Sequence, residues 1–130
     1  MIVSEITAVT GLQALESLRC SRMIFDPHEL TIEFDGEGRI IISCEACFRD
    51  GLEERLFNPD LGSHLRADLG VQTLVGREVR SIYSEKFALS LSFEGCTLSI
   101  DIEKQDGELL SIWTKQGGGF LIDVSVLDAQ

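Results

Sequence analysis

The stretch Phe87 to Glu103, FALSLSFEGCTLSIDIE, constrains the fold more than any other part of the chain. Every second residue is apolar: Phe87, Leu89, Leu91 and Phe93, then, after the Glu94-Gly95 turn, Leu98, Ile100 and Ile102. Ala88, Ser90, Ser92 and Glu94 alternate with the first set, and Thr97, Ser99, Asp101 and Glu103 with the second. A helix would scatter these apolar residues around its circumference, whereas a strand puts them on one face. Two half-buried strands joined by a tight turn are therefore predicted. Their apolar face is scaffold. Their polar face, serine-rich and mildly acidic, is free to touch a partner.

Residues 28 to 45, HELTIEFDGEGRIIISCE, follow the same plan. Leu30, Ile32 and Phe34 share a face, Asp35-Gly36 opens a turn, and Ile40, Ile42 and Cys44 continue that face. Leu15 and Leu74, Leu30 and Leu89, Phe34 and Phe93, and Gly36 and Gly95 all stand 59 residues apart. Past the turn the spacing becomes 58, as in Ile40 and Leu98. A short apolar stretch, Arg22 to Phe25 or Val79 to Tyr83, precedes each hairpin. The pattern predicts an internal repeat, residues 11–50 and 70–107, against the alternative of two generic meanders. A three-stranded meander cannot bury its apolar face alone, so the two must pack face to face or join in one sheet.

Around this core, Gly11 to Arg19 reads as a short helix capped by Thr10, with Leu12, Leu15 and Leu18 at helical spacing. Asn58-Pro59-Asp60 opens a second through Arg66, stopped by Gly70. Asp106-Gly107 signals a hairpin turn, and the glycines Gly117 to Gly119 turn the chain into a last strand, Phe120 to Leu127. The expected fold class is α+β, mainly β: two pseudo-repeated antiparallel β-meanders, about eight strands, with two short helices. A chain of 130 residues fits a single domain, 1–130, able to bury a core without staples.

Charge narrows the function. Twenty-two acidic residues against 11 basic ones give a formal net charge of −11. Such a surface repels phosphate backbones and anionic membranes, so neither nucleic acid nor membrane is an expected partner. A basic protein partner would be steered in, although acidity also serves plain solubility. The start of the chain shows no signal segment and no apolar run long enough to span a bilayer, so a cytoplasmic location and four free thiols are expected.

Motifs with possible chemistry are few. Cys44-Glu45-Ala46-Cys47 has the CxxC spacing of zinc and thiol-exchange sites. Read as a continuation of the strand Ile40-Ile42-Cys44, its sulfurs point to opposite faces, and no second pair completes four ligands. His28 corresponds to Phe87 and is expected to pack at a strand start; His64 lies in a polar stretch. A Cys–His nucleophilic pair has no local signature. The three glycines lack the pattern of a phosphate loop. Asp101, Glu103, Asp106 and Glu108 offer oxygen ligands without calcium-loop spacing, which favours a solvated edge. No catalytic, cofactor-binding or metal-binding residue is assigned. Trp113, read on the face opposite Ile112 together with Ser111 and Leu109, is either a buried side chain or an interface anchor beside an acidic strand. Trp113, Asp101, Glu103 and Glu108 form the candidate interface.

The string from Leu74 to Ile100, with Leu74, Gly76, Val79, Ile82, Leu89, Leu91, Phe93, Gly95, Leu98 and Ile100 as its markers, resembles small uncharacterised bacterial domains, some found near predicted immunity proteins of toxin systems. The first half carries Ser17 where the second has Gly76. The resemblance implies fold positions and no catalytic residue. The expected function is a non-catalytic binding protein, immunity-like as the resemblance implies, whose acidic face docks a basic protein. The alternatives are a small-molecule binder or weak enzyme with a pocket between the meanders, and a homo-oligomeric module, such as a homodimer, using a strand edge or Trp113.

Overall fold

The structure, a computed structural model, describes residues 1–124. Eleven strands run through them: β1 (Ile2–Val3), β2 (Cys20–Asp26), β3 (Glu29–Phe34), β4 (Gly38–Ile42), β5 (Ala46–Asp50), β6 (Glu53–Phe57), β7 (Val79–Ser84), β8 (Ala88–Phe93), β9 (Cys96–Asp101), β10 (Glu108–Thr114) and β11 (Gly118–Asp123). They form two sheets, a larger one in the order β1-β11-β10-β4-β3-β2 and a smaller one in the order β6-β5-β9-β8-β7. All pairings are antiparallel except β1 with β11. The fold is mainly β, as the alternation predicts.

Each meander extends into a hairpin that changes sheets. β2, β3 and β4 are neighbours, but the chain then leaves for the smaller sheet, where β5 pairs with β9. β7, β8 and β9 are neighbours in turn, and the chain then crosses to the larger sheet, where β10 pairs with β4. Each sheet thus joins a meander from one half of the chain to a hairpin from the other. Leu30, Ile32, Phe34, Ile40 and Ile42 from the first meander and Leu89, Leu91, Leu98 and Ile100 from the second are at most 1% exposed and belong to one continuous apolar cluster. Fully burying each such side chain is worth about 1.5–3 kcal/mol. The six ion pairs of the described residues all lie at the surface, where a pair contributes about 0–1 kcal/mol. Burial therefore dominates stability.

The halves also touch through their main chains just before β2 and β7. Ser17 N donates to Val79 O and Gly76 N to Cys20 O, at 2.8 and 2.7 Å. Val79 N donates to Leu18 O and Cys20 N to Arg77 O, at 2.8 and 2.9 Å. Ser17 and Gly76, Leu18 and Arg77, and Cys20 and Val79 are each 59 residues apart, so every bond has a reciprocal. The antiparallel bridge between them joins Arg19 to Glu78, its own counterpart at that spacing. Ser17 and Gly76 have positive φ, 72° and 90°. Both β2 and β7 carry a register shift, after Cys20 and Val79.

The two expected helices are single turns of 3-10 helix. Gly11 to Arg19 holds one, Leu12–Leu15, ended by extended Glu16 and left-handed Ser17. Thr10 does not cap it; its hydroxyl reaches Gly117 O at 3.4 Å. Asn58 to Arg66 holds two, Pro59–Leu61 and Ser63–Leu65, separated by Gly62 at φ 75°. Segments this short cannot recover the cost of nucleating an α-helix. Three strands beyond the pattern are present: β1, which pairs with β11, and β5 and β6, which form a hairpin at Gly51-Leu52. Asp106-Gly107 makes no hairpin: it lies in the crossover from β9 to β10. The last strand ends at Asp123, and the expected extension through Leu127 lies outside the described residues.

Candidate functional site

β4 ends at Ile42 and β9 at Asp101, where the chain changes sheets. The connections after them, with the turn after β6, enclose a cleft of about 660 Å³. Its lining includes Glu45, Asp60, Asp101, Glu103 and Asp106, with Lys104 as its one cation. Cys44 and Leu109 form its apolar floor, both at most 3% exposed. Local hydrogen bonds fix the Asp101 carboxylate and the main chain at Glu45 and Asp60. Glu103 N donates to Asp101 Oδ1 at 3.0 Å, and Glu45 N to Gln105 Oε1 at 2.8 Å. Gln105 Nε2 donates back to Glu45 O at 3.3 Å, pinning one crossover to the other. Asn58 Oδ1 accepts from Asp60 N at 3.0 Å, and Asp60 O meets His28 Nδ1 at 3.0 Å.

The structure gathers only part of the candidate interface. Asp101 and Glu103 share the cleft, while Glu108 and Trp113 do not line it. Trp113 lies half-buried near the other end of β10, on the outer face of the larger sheet, where the Arg39 guanidinium sits 5.7 Å from its ring centroid. Its cross-strand row continues through Arg39 and Glu33 to Arg22, a mixed-charge row rather than an acidic one. Leu109 is not on that face. A register shift between Glu108 and Leu110 breaks the alternation, and both leucines turn inward.

The cysteines and histidines do not converge. Cys44 is buried in the bend after β4 rather than in the strand, and Cys47 is half-exposed on the outer face of the smaller sheet, opposite Ser99 and Leu56. Burial pushes the Cys44 thiol up to about 12 and Cys20 to about 11. Cys47 is also raised, by burial and then by the Glu54 carboxylate. None of the three has the electropositive surroundings that make a reactive thiolate. His28 is exposed at the turn before β3 rather than packed like Phe87, because its ring nitrogen engages Asp60 O. His64 is 1% exposed, in contact with Asp26 O through Nε2 and stacked on Phe25, with a buried Nδ1 that has no hydrogen-bond partner. Its stretch is polar in composition, yet the ring faces the core. No group of three or more His, Cys, Asp or Glu placed to hold a metal occurs among the described residues. No described helix is long and apolar enough to cross a membrane.

Glu45, Asp60 and the β5–β6 hairpin were not legible as parts of a site. Glu45 and Asp60 lie 15 residues apart in the chain and meet Asp101 only because both meanders send hairpins across the sheets. Compared with known proteins, the chain matches no protein-family model, no curated sequence and no solved structure.

Proposed function

We propose that this chain is a non-catalytic, immunity-like cytoplasmic binding protein whose acidic cleft docks a basic protein partner. The observation that carries this reading is the ring of five carboxylates against one lysine around the cleft, on a chain of formal charge −11. Such a field steers a cationic surface into place and weakens with salt. Calorimetric titration with an oligo-lysine peptide tests it. Affinity should fall steeply between low and high salt, and the paired substitution Asp101→Asn, Glu103→Gln should weaken it by about tenfold, as expected for two charge-assisted contacts near a surface. Equal affinity for the wild type and the pair would refute it.

We also infer that residues 11–50 and 70–107 are copies of one unit. The reciprocal hydrogen bonds, the matched register shifts and the Arg19–Glu78 bridge at the constant spacing support this. In a two-fold contact each pairing recurs with the two partners' roles exchanged, and only residues on the axis, as Arg19 and Glu78, meet their own counterparts. A hybrid carrying the second meander, residues 71–101, in place of residues 12–43 should fold cooperatively; an unfolded hybrid would count against it.

A further inference from the structure

The larger sheet has six strands and the smaller five, and the difference lies at one edge. β10 and β11 stand beside β4 as β5 and β6 stand beside β9, so β11 and β6 hold corresponding outer places. β1 lies along β11 in parallel, Ile2 against Leu121 and Val3 against Ile122, with Leu121 N donating to Met1 O at 2.8 Å. Leu121 faces Ser111 and, beyond it, Ile41; Leu56 faces Cys47 and, beyond it, Ser99. Ile41 and Ser99 are 58 apart, the spacing of β4 and β9, so Leu56 and Phe57 correspond to Leu121 and Ile122. No described strand lies beyond Leu56 and Phe57 on the outer side of β6.

The other open edges are guarded differently. β2 and β7 are bulged, and the Ile82 amide on β7 is taken by Glu16 Oε1 at 3.0 Å. Bulges and edge charges are the usual devices against strand addition. β6 is unbulged, and its charges are engaged locally, Glu54 with Arg49 at 2.7 Å and Arg55 with Glu53. Leu56 is 60% exposed, and of the eight exposed large apolar side chains among the described residues four, Leu52, Leu56, Leu61 and Leu65, fall in this strand's turn, the strand and the turns after it.

We propose that β6 takes up an extended segment of a basic partner protein as a sixth strand, parallel to it, as β1 lies along β11. Main-chain pairing supplies affinity in this mode, and alternate side chains supply specificity. Direction sets the chemistry of the occupant. A strand parallel to β6 runs past Phe57 towards Asn58 and Asp60, which line the acidic cleft. The segment therefore carries β-branched apolar residues opposite Leu56 and Phe57, as β1 does with Ile2 and Val3, and then lysine or arginine. The charge of the occupant rests on the acidic-cleft reading; the strand pairing does not.

The probe is a synthetic peptide, Met-Ile-Val-Ser followed by a run of lysines, titrated into the full chain and followed by amide NMR and hydrogen exchange. Glu54 and Leu56 amides should shift and gain protection. Leu56→Pro removes an outward N–H and leaves the bonds to β5 in place, so it should weaken binding roughly tenfold. A peptide N-methylated in its Ile-Val segment should lose affinity likewise, with no change to the protein's own folding. If the lysine run alone binds as well and shifts only Asp101 and Glu103, the strand proposal falls and the cleft reading stands. If serines replace the lysines without loss of Leu56 protection, the pairing stands and the cleft reading falls. No shift on β6 at millimolar peptide overturns the proposal. So does Leu56 protection without peptide, or a dimer that Leu56→Pro dissolves, since either gives the edge to this chain itself.

Discussion

The β10–β11 and β5–β6 hairpins do the same structural task with different side chains. Each leaves its own meander and completes the opposite sheet. In β10–β11, Ile112, Phe120 and Ile122 are buried, and β1 covers the outer side. In β5–β6, Phe48 and Phe57 are buried, but Arg55 stands where Phe120 stands in the other hairpin. Its guanidinium donates to Leu69 O at 3.0 Å, covering the core with an arginine stem instead of a ring. The pairing of strands is the same; the treatment of the edge is not. A strand of the same chain seals the outer side of β11, whereas no described strand lies along the outer side of β6.

The comparison breaks most visibly in the core. Phe48 and Ile112 correspond and are at most 1% exposed. Phe48→Ala should cost about 3–5 kcal/mol and Ile112→Ala about 2–5 kcal/mol, read as shifts in the urea midpoint. Both variants should unfold in a single transition, because each hairpin serves the sheet of the other half. A variant that melts one sheet and spares the other would show that the interior is not shared.

The join between the halves is sharpened by a second pair. Gly76 at φ 90° and Ser17 at φ 72° hold the same place. Left-handed backbone costs a residue with a side chain roughly 1–2 kcal/mol. Gly76→Ala should therefore destabilise by about that amount, and Ser17→Gly should stabilise, by less, since glycine also gains freedom in the unfolded chain. If Ser17→Gly destabilises, the two sites are not equivalent.

Legibility in the sequence followed side-chain alternation. β3, β4, β8 and β9 could be read because a sheet with one buried face writes a period of two, as in Leu89, Leu91 and Phe93. β5 and β6 escaped because Arg49, Asp50, Glu53, Glu54 and Arg55 stand in charged runs on both sides of the turn, which interrupt the alternation, and Arg55 points inward. Their turn signal, Asp50-Gly51, was present. The same dipeptide at Asp106-Gly107 lies instead in a crossover, so the turn chemistry alone does not say which strands it joins. The cleft was half legible: Asp101 and Glu103 sit on a readable strand end, while Glu45 and Asp60 arrive through the hairpin exchange. Trp113 lies on the face of β10 opposite Ile112, as alternation predicts, but the register shift before Leu110 removes Leu109 from beside it.

A smaller effect tests the thiols at the start of β2 and after β4. The unfolded thiol ionises near 9.0, whereas burial holds the proton on Cys20 to about 11 and on Cys44 to about 12. Between these values the unfolded chain binds fewer protons than the folded one, so stability falls as pH rises through this window. The loss should be on the order of 1 kcal/mol per thiol at pH 10, seen in denaturation midpoints, and Cys44→Ala should flatten its share. At pH 8 a thiol reagent should modify half-exposed Cys47 before Cys20 or Cys44. Equal rates for all three would contradict this burial.

Amide hydrogen exchange on the full chain, alone in solution, tests the contrast between the two hairpins most directly. The Leu121 amide, bonded to Met1 O, should exchange slowly, and the Leu56 amide, its counterpart on the open edge, should exchange far faster while Arg55 and Phe57, turned towards β5, remain protected. Equal protection of Leu56 and Leu121 would contradict the account.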